Sequence, residues 1–419
     1  VETFPSPSKA GVDRPFQSTG GKGIEGIEGI EGLGGDPDII AVPMDPITHT
    51  LAGAALAESR LGRVGGLRHG LALGTLLVAA NLPDIDVSCY VAGSDFALGQ
   101  RRGLTHGILA LVVLPLALWG IALLIDRWRS SRAADRTPAP AGALLAVAVV
   151  GVWSHPMLDW LNVYGVRLLA PFDWTWFYGD GVFIVDPWLW LLLGGAVFLA
   201  RPRGRWAAIL WALFAVVATV LVIAAAPPPA RWVWLAGLAV VVAARRLTPV
   251  ASTPAGERLA LAALATLVVY VTALTASARV AEGMVRHELE QRGEGPIARV
   301  MVGPEAADPF HRQVVAETRA GYRLGRIRWL ETPRLVFDER LISYPTPSPV
   351  VQAALRAPSV AGFVTWMRFP AVEVEATSEG YNVHLLDVRY ARRATGGFGT
   401  ATVRLGPDLA PLPADAQDR

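Results

Sequence analysis

From Met44 to about residue 281 the chain is a succession of apolar runs separated by short loops rich in arginine, and this constrains its fold more than any other feature. A helix of roughly 20 apolar residues matches the hydrocarbon thickness of a bilayer. Residues 104–125, 206–226 and 259–278 fit that pattern outright. Residues 182–200 fit it with one carboxylate, Asp186, near their start, and residues 141–161 carry Ser154, His155 and Asp159 in their last turns. The shorter runs 47–57, 70–82 and 232–244 read as tilted, re-entrant or packed inside the bundle. The expected fold is mainly α, a polytopic helical membrane bundle of about eight spans over residues 44–281. Only 18% of the 419 residues are charged, against roughly 25% in soluble domains, which points away from an ordinary cytosolic enzyme.

The flanks differ from this block. Residues 1–43 are rich in Gly, Pro and Ser and carry the tandem repeat Ile24-Glu25-Gly26, Ile27-Glu28-Gly29, Ile30-Glu31-Gly32. They read as a disordered tail or as an upstream extension with Met44 as the natural first residue. Residues 282–419 hold more charge, scattered prolines and short alternating runs such as 371–376 and 398–405, the pattern of a smaller strand-rich soluble domain. Cytoplasmic loops collect Lys and Arg. Here the sets Arg60/Arg63/Arg68, Arg127/Arg129/Arg132/Arg136, Arg201/Arg203/Arg205 and Arg245/Arg246/Arg258 fall in alternate loops. Both termini and the soluble domain are therefore expected outside the cytoplasm. The pair Arg101-Arg102 is the exception to the rule.

Ionisable residues within a membrane block are costly and mark function. The first run opens with Asp45 and His49, four apart on one helical face, and the second ends Pro83-Asp84-Ile85-Asp86. The third begins Arg101-Arg102-Gly103-Leu104-Thr105-His106, and the fourth ends with His155 and Asp159, again four apart. In the arginine-based topology all four segments lie at the outer face. Neutral imidazoles and carboxylates are the ligand set of zinc or a related divalent ion. With a single cysteine, Cys89, every Cys-based zinc motif is excluded. A net charge of +2 and the lack of a basic stripe exclude nucleic acid as a partner.

These segments, together with Tyr178-Gly179-Asp180 and Asp186-Pro187, resemble the bacterial YdjM-like proteins, described as LexA-regulated, membrane-bound, metal-dependent hydrolases. The resemblance runs from Met44 to about Trp190 and implies an inner-membrane hydrolase without naming a substrate. The His/Asp pattern is more distantly similar to zinc-dependent phospholipase C and related nucleases, which cleave phosphodiesters.

The expected ligands of a divalent ion, zinc first, are His49, His106, His155, Asp159 and one of Asp84 and Asp86, with Asp84 assigned. The donor count accommodates one ion or two. Such an ion lowers the pKa of a water from about 15.7 towards about 7. Asp45 and Asp86 are left as general base or as carboxylates orienting a ligand imidazole, although Asp45 also suits a helix N-cap. Arg101 and Arg102 beside His106 suit a phosphate in fork geometry, which suggests a phospholipid or lipid-linked phosphate substrate, or merely contact with anionic head groups. The alternative function is a metal-binding membrane protein without hydrolase activity, or a transporter. The lipid bilayer is the one partner implied, and the sequence carries no signal for an oligomeric state.

Overall fold

The computed structural model describes residues 45–132, 135–201, 204–247, 254–393 and 397–413. The tail 1–43 and Met44 lie outside them. Nine α-helices precede the first strand among the described residues: α1 (Pro46–Glu58), α2 (His69–Asn81), α3 (Ser94–Gln100), α4 (Ala110–Ser131), α5 (Ala141–Trp160), α6 (Pro187–Ala200), α7 (Arg205–Ala225), α8 (Pro228–Leu247) and α9 (Pro254–Gln291). Each of the eight apolar runs overlaps one of these helices, but the expected eight spans become five candidates: His69–Ala92, which is α2 with its 3-10 continuation, then α4, α5, α7 and α9. Length is the main reason. At 13 and 14 residues, α1 and α6 reach only about 20 Å at 1.5 Å per residue, short of a hydrocarbon core of about 30 Å. They pack instead against longer neighbours, α1 on α2 and α6 on α9. Helix α8 is long enough but carries Arg231, Arg245 and Arg246.

Small residues bring the helices of the site close together, as membrane packing requires. Gly53 of α1 faces the Leu76 carbonyl and Ala80 of α2, and Gly151 of α5 faces Ala79 of α2. The N-termini of α1 and α6 follow local chemistry. Asp45 and Asp186 cap them by accepting the N–H groups of Ile47 and Trp188, and a proline stands in each first turn.

The span expected from residue 104 starts later, at Ala110, because residues 101–109 form turns. These turns press on the loop after α5. The Ile108 N–H donates to the Leu168 carbonyl at 2.8 Å, and a Cβ on Gly107 would sit 2.2 Å from the Ala170 oxygen.

Helix α9 continues past the apolar block and past position 282 to Gln291, where Ala281, Val285 and Leu289 pack on the first sheet. That sheet is an antiparallel meander of β1 (Arg299–Glu305), β2 (Asp308–Glu317), β3 (Tyr322–Arg328) and β4 (Leu335–Ile342). Two short helices follow, α10 (Pro349–Leu355) and α11 (Ala361–Trp366), which the strand-rich expectation did not contain. A second antiparallel sheet joins β5 (Pro370–Thr377), β6 (Gly380–Asp387) and β7 (Thr400–Leu405) in that order. The alternating run 371–376 lies within β5, and the run 398–405 begins in a turn and continues as β7, with Tyr381 opposite Leu405.

Candidate metal centre

Four segments meet at the end of the helical bundle where α1 begins and α5 ends. His49 lies in the first turn of α1, and His155 and Asp159 face it from the last two turns of α5. Asp84 and Asp86 stand on the 3-10 stretch Leu82–Ala92, and His106 on the turns before α4. The His49 and His155 rings stack with centroids 3.7 Å apart, and His106 meets His155 edge-on at 5.0 Å. Nε2 of His49 is 3.1 Å from Asp159 Oδ1, and Nε2 of His106 is 3.2 Å from Asp159 Oδ2. Nε2 of His155 lies 3.5 Å from Asp159 Oδ2 and 3.7 Å from Asp84 Oδ1. Two overlapping groups, His49/His155/Asp159 and Asp84/His106/His155, each hold their donor atoms within 4.8 Å and could hold a metal ion.

The donor chemistry fits a cation. Nδ1 of His155 donates to the Ala80 carbonyl at 2.7 Å, which leaves Nε2 with a bare lone pair. Ala80 is placed to accept because residue 83, its partner in a 3-10 pattern, is a proline without an N–H. Nδ1 of His106 lies 2.9 Å from the Thr105 hydroxyl and 3.5 Å from Asp86 Oδ2. The two Nε2 atoms of His106 and His155 approach to 3.2 Å, close to the spacing of two nitrogens each about 2.0–2.1 Å from one tetrahedral zinc. Asp159 Oδ2 is buried and accepts no hydrogen bond among the described residues. A buried carboxylate oxygen with no hydrogen bond among the described residues, ringed by imidazole nitrogens, suits a positive ion, and the Arg102 guanidinium beside it supplies part of that charge.

The remaining expected residues take other places. Asp86 accepts the Arg102 backbone N–H at 2.8 Å and the Thr105 hydroxyl at 3.2 Å, so it stands behind His106 rather than among the donor atoms of the two groups. Asp45 is the cap of α1. Its oxygens also accept the Thr48 hydroxyl and, at 2.5 Å, the Trp190 indole N–H, which binds α1 to α6. Those contacts occupy the carboxylate that was a candidate general base.

Both arginines point inward. Arg101 donates to Asp84 at 3.2 Å and to Asp86 at 3.4 Å, and Nη1 of Arg102 donates to Asn162 Oδ1 at 3.1 Å and the Gly165 carbonyl at 2.8 Å. Nε of Arg102 lies 3.2 Å from Asp159 Oδ2. Buried carboxylates need counter-ions, and these guanidinium groups answer the site's own charge. Arg102 also lies 4.4 Å over the Tyr164 ring, whose hydroxyl burial pushes up to about 12. Nη2 of Arg102 is left without a hydrogen-bond partner among the described residues.

Sequence reasoning missed Asn162, the Ala80 carbonyl and the part played by Thr105. The only signals were an Asn three residues beyond Asp159 and a Thr beside His106.

Residues 44–229, which contain every one of these groups, match the family described as YdjM inner membrane protein. Over this stretch the chain belongs to the YdjM family. It is accordingly a multi-pass membrane protein of that inner-membrane family. The chain is also similar to a protein of Bacillus subtilis (strain 168) described as uncharacterized protein YfhP, with 25% identity over 153 residues. That similarity covers 35% of this chain and 43% of the relative's length. No solved structure matches.

Proposed function

We propose that the chain is a membrane-bound metal-dependent hydrolase acting on a phosphoester, in a phospholipid or lipid-linked phosphate, at the outer face of the inner membrane. The convergence of His49, His106, His155, Asp84 and Asp159, whose ligand atoms form two overlapping groups each within 4.8 Å, carries the reading. A divalent cation there, zinc being best matched to imidazole and carboxylate donors, would supply Lewis acidity and a water acidified towards a pKa of about 7.

The chain's own groups define the rest. Ala80 holds His155 in one tautomer, and Asp86 with Thr105 orients His106. Arg101 and Arg102 balance Asp84 and Asp159. Asp84, 14% exposed, is the open edge of a cluster whose other members are sealed. Substrate enters on that side, past the exposed apolar side chains of Ile85, Val87 and Val91. Such a rim suits an amphiphile whose apolar part stays in the bilayer. The phosphoester assignment rests on Arg102, whose Nη2 has no hydrogen-bond partner among the described residues. The outer-face orientation rests on the two arginine sets Arg60/Arg63/Arg68 and Arg127/Arg129/Arg132/Arg136, at the ends of α2, α4 and α5 away from the site.

Burial of His49, His106, His155 and Asp159 favours a second reading, a closed structural metal site without catalysis. Metal analysis of the purified protein, followed by hydrolysis assays on phosphodiesters and phospholipids with wild type and His155→Ala, separates the two. Bound metal with His155-dependent hydrolysis is expected. Bound metal without hydrolysis leaves the structural reading, and a protein that retains no metal overturns both.

A further inference from the structure

The soluble domain reaches the metal centre through one short piece of chain. In that domain, Asp387 and Arg389 form a fully buried ion pair, with Nη2 of Arg389 2.6 Å from Asp387 Oδ2. The same guanidinium donates from Nη1 to the Val163 carbonyl at 2.7 Å and from Nη2 to the Trp366 carbonyl at 3.1 Å. Val163 sits between two residues fixed from the other side. Asn162 Oδ1 accepts from the Tyr164 N–H at 2.9 Å and from Arg102 Nη1 at 3.1 Å, and Arg102 Nη1 also donates to the Gly165 carbonyl. Residues 162–165 are thus held between two guanidinium groups, Arg389 on one side and Arg102 on the other.

A second path runs through rings. Arg102 lies over Tyr164, the Tyr164 and Trp366 centroids are 5.2 Å apart, and Arg389 lies 4.7 Å from the Trp366 ring. Cation, ring, ring and cation form one continuous run of contacts across the interface, the two rings tilted at 45° to each other. Nε of Arg102, at its end, is 3.2 Å from Asp159 Oδ2, an oxygen of the cluster.

We infer that Arg389 is a positioning residue for the metal centre: through residues 162–165 and Tyr164 it sets where Arg102 stands and hence how Asp159 is presented. The inference rests on the metal reading above. It gives the soluble domain a part in the site without contributing a ligand. A buried ion pair at this place is costly to assemble, and a carbonyl from the loop after α5 is one of its few acceptors outside its own domain.

The test uses the full chain in detergent with Co2+ as the probe, comparing Arg389→Met, Arg389→Lys and Asp95→Asn. Asp95 is a contact between the same domains at another place: its carboxylate accepts the N–H groups of Gly362 and Phe363, away from residues 162–165. Arg389→Met is expected to weaken Co2+ binding about tenfold, the scale for loss of an outer-shell partner, and to shift the ligand-field spectrum. Arg389→Lys, which keeps one donor for Val163, is expected to lie between, and it provides the readout if the Met variant does not fold. Asp95→Asn is expected to keep the wild-type spectrum. Wild-type spectra and affinity in the Arg389 variants would overturn the inference, as would an equal change in Asp95→Asn, which would indicate general loosening. A wild-type protein that takes up no Co2+ overturns the metal reading and this inference with it.

Discussion

The contact of α2 with α5 offers a direct way to disturb the centre without touching a ligand. In Gly151→Ala the new methyl would lie 2.4 Å from the Ala79 Cβ and 3.3 Å from Leu76 Cδ2. Carbon atoms in contact stand about 3.5–4.0 Å apart, so the two helices must part locally by about 1 Å. Ala80, the neighbour of Ala79, receives the His155 Nδ1 hydrogen bond at 2.7 Å, and His155 is one turn from Gly151. Adding the displacement takes that bond to about 3.7 Å, beyond hydrogen-bond range. The His155 ring then loses the group that fixes its tautomer, with an expected 10–100-fold loss of metal affinity, roughly. Overpacking itself costs about 1–3 kcal/mol of stability. Titration with Zn2+ or Co2+, alongside a thermal midpoint, separates the two effects. Gly142→Ala is the control, since it lies in the same helix and its Cβ meets nothing within 4 Å. Adding Ala79→Gly removes the opposing methyl and should restore affinity, though not full stability, because glycine inside a helix costs about 1 kcal/mol. Metal affinity within about twofold of wild type in Gly151→Ala would refute the role given to the Ala80 carbonyl.

At the opposite end of α4, Asp126 is fully buried between Arg68, Arg136 and the Ala139 N–H. Asp126→Ala should cost about 3 kcal/mol, the low end for a broken buried pair because both arginines reach solvent, and leave metal binding unchanged in the same titration. His311 lies between Asp308 and Glu331 at 2.6 and 3.1 Å; burial opposes its charge, but the two acceptors outweigh it and raise its pKa above 6.5. Its contribution to stability is therefore complete below pH 6.5 and fades as pH climbs through the raised value. Thermal midpoints of His311→Gln should lack that alkaline decline, and an identical decline in both proteins would refute the assignment. A Cβ on Gly362 would lie 1.8 Å from the Asp95 carbonyl oxygen, so Gly362→Ala should loosen α11 from α3. Limited proteolysis should then cut the soluble domain faster than in wild type.

The chemistry of the centre was legible because membrane sequences spare few polar residues. The four-residue spacing of His155 and Asp159 placed both on one face, and Pro83 announced the break that sets Asp84 and Asp86 on a turn. The number of spans was less legible. Hydropathy sees that 47–57 and 182–200 are apolar, but not that each forms a helix too short to cross alone and leans on a neighbour. The arginines misled for a related reason. Charge counting treats Arg101 and Arg102 as surface residues, whereas the fold surrounds them with Asp84, Asp86 and Asp159. Asn162 and the Ala80 carbonyl act through contacts 60 and 75 residues away in the chain, to Arg102 and His155, and no local pattern reports those. Helices α10 and α11 escaped notice because each is only a turn or two long.

Helix α9 has 38 residues, about 57 Å of continuous helix against a hydrocarbon core of about 30 Å. It has no proline after its first residue, and its far end is built into the first sheet. Such a rod has no joint at the water boundary. When a bilayer thins, a long apolar helix accommodates by tilting, and here the tilt carries the sheet with it as one body. Lipid thickness thereby becomes a mechanical input to everything the sheet touches, including the strands that lead to Arg389.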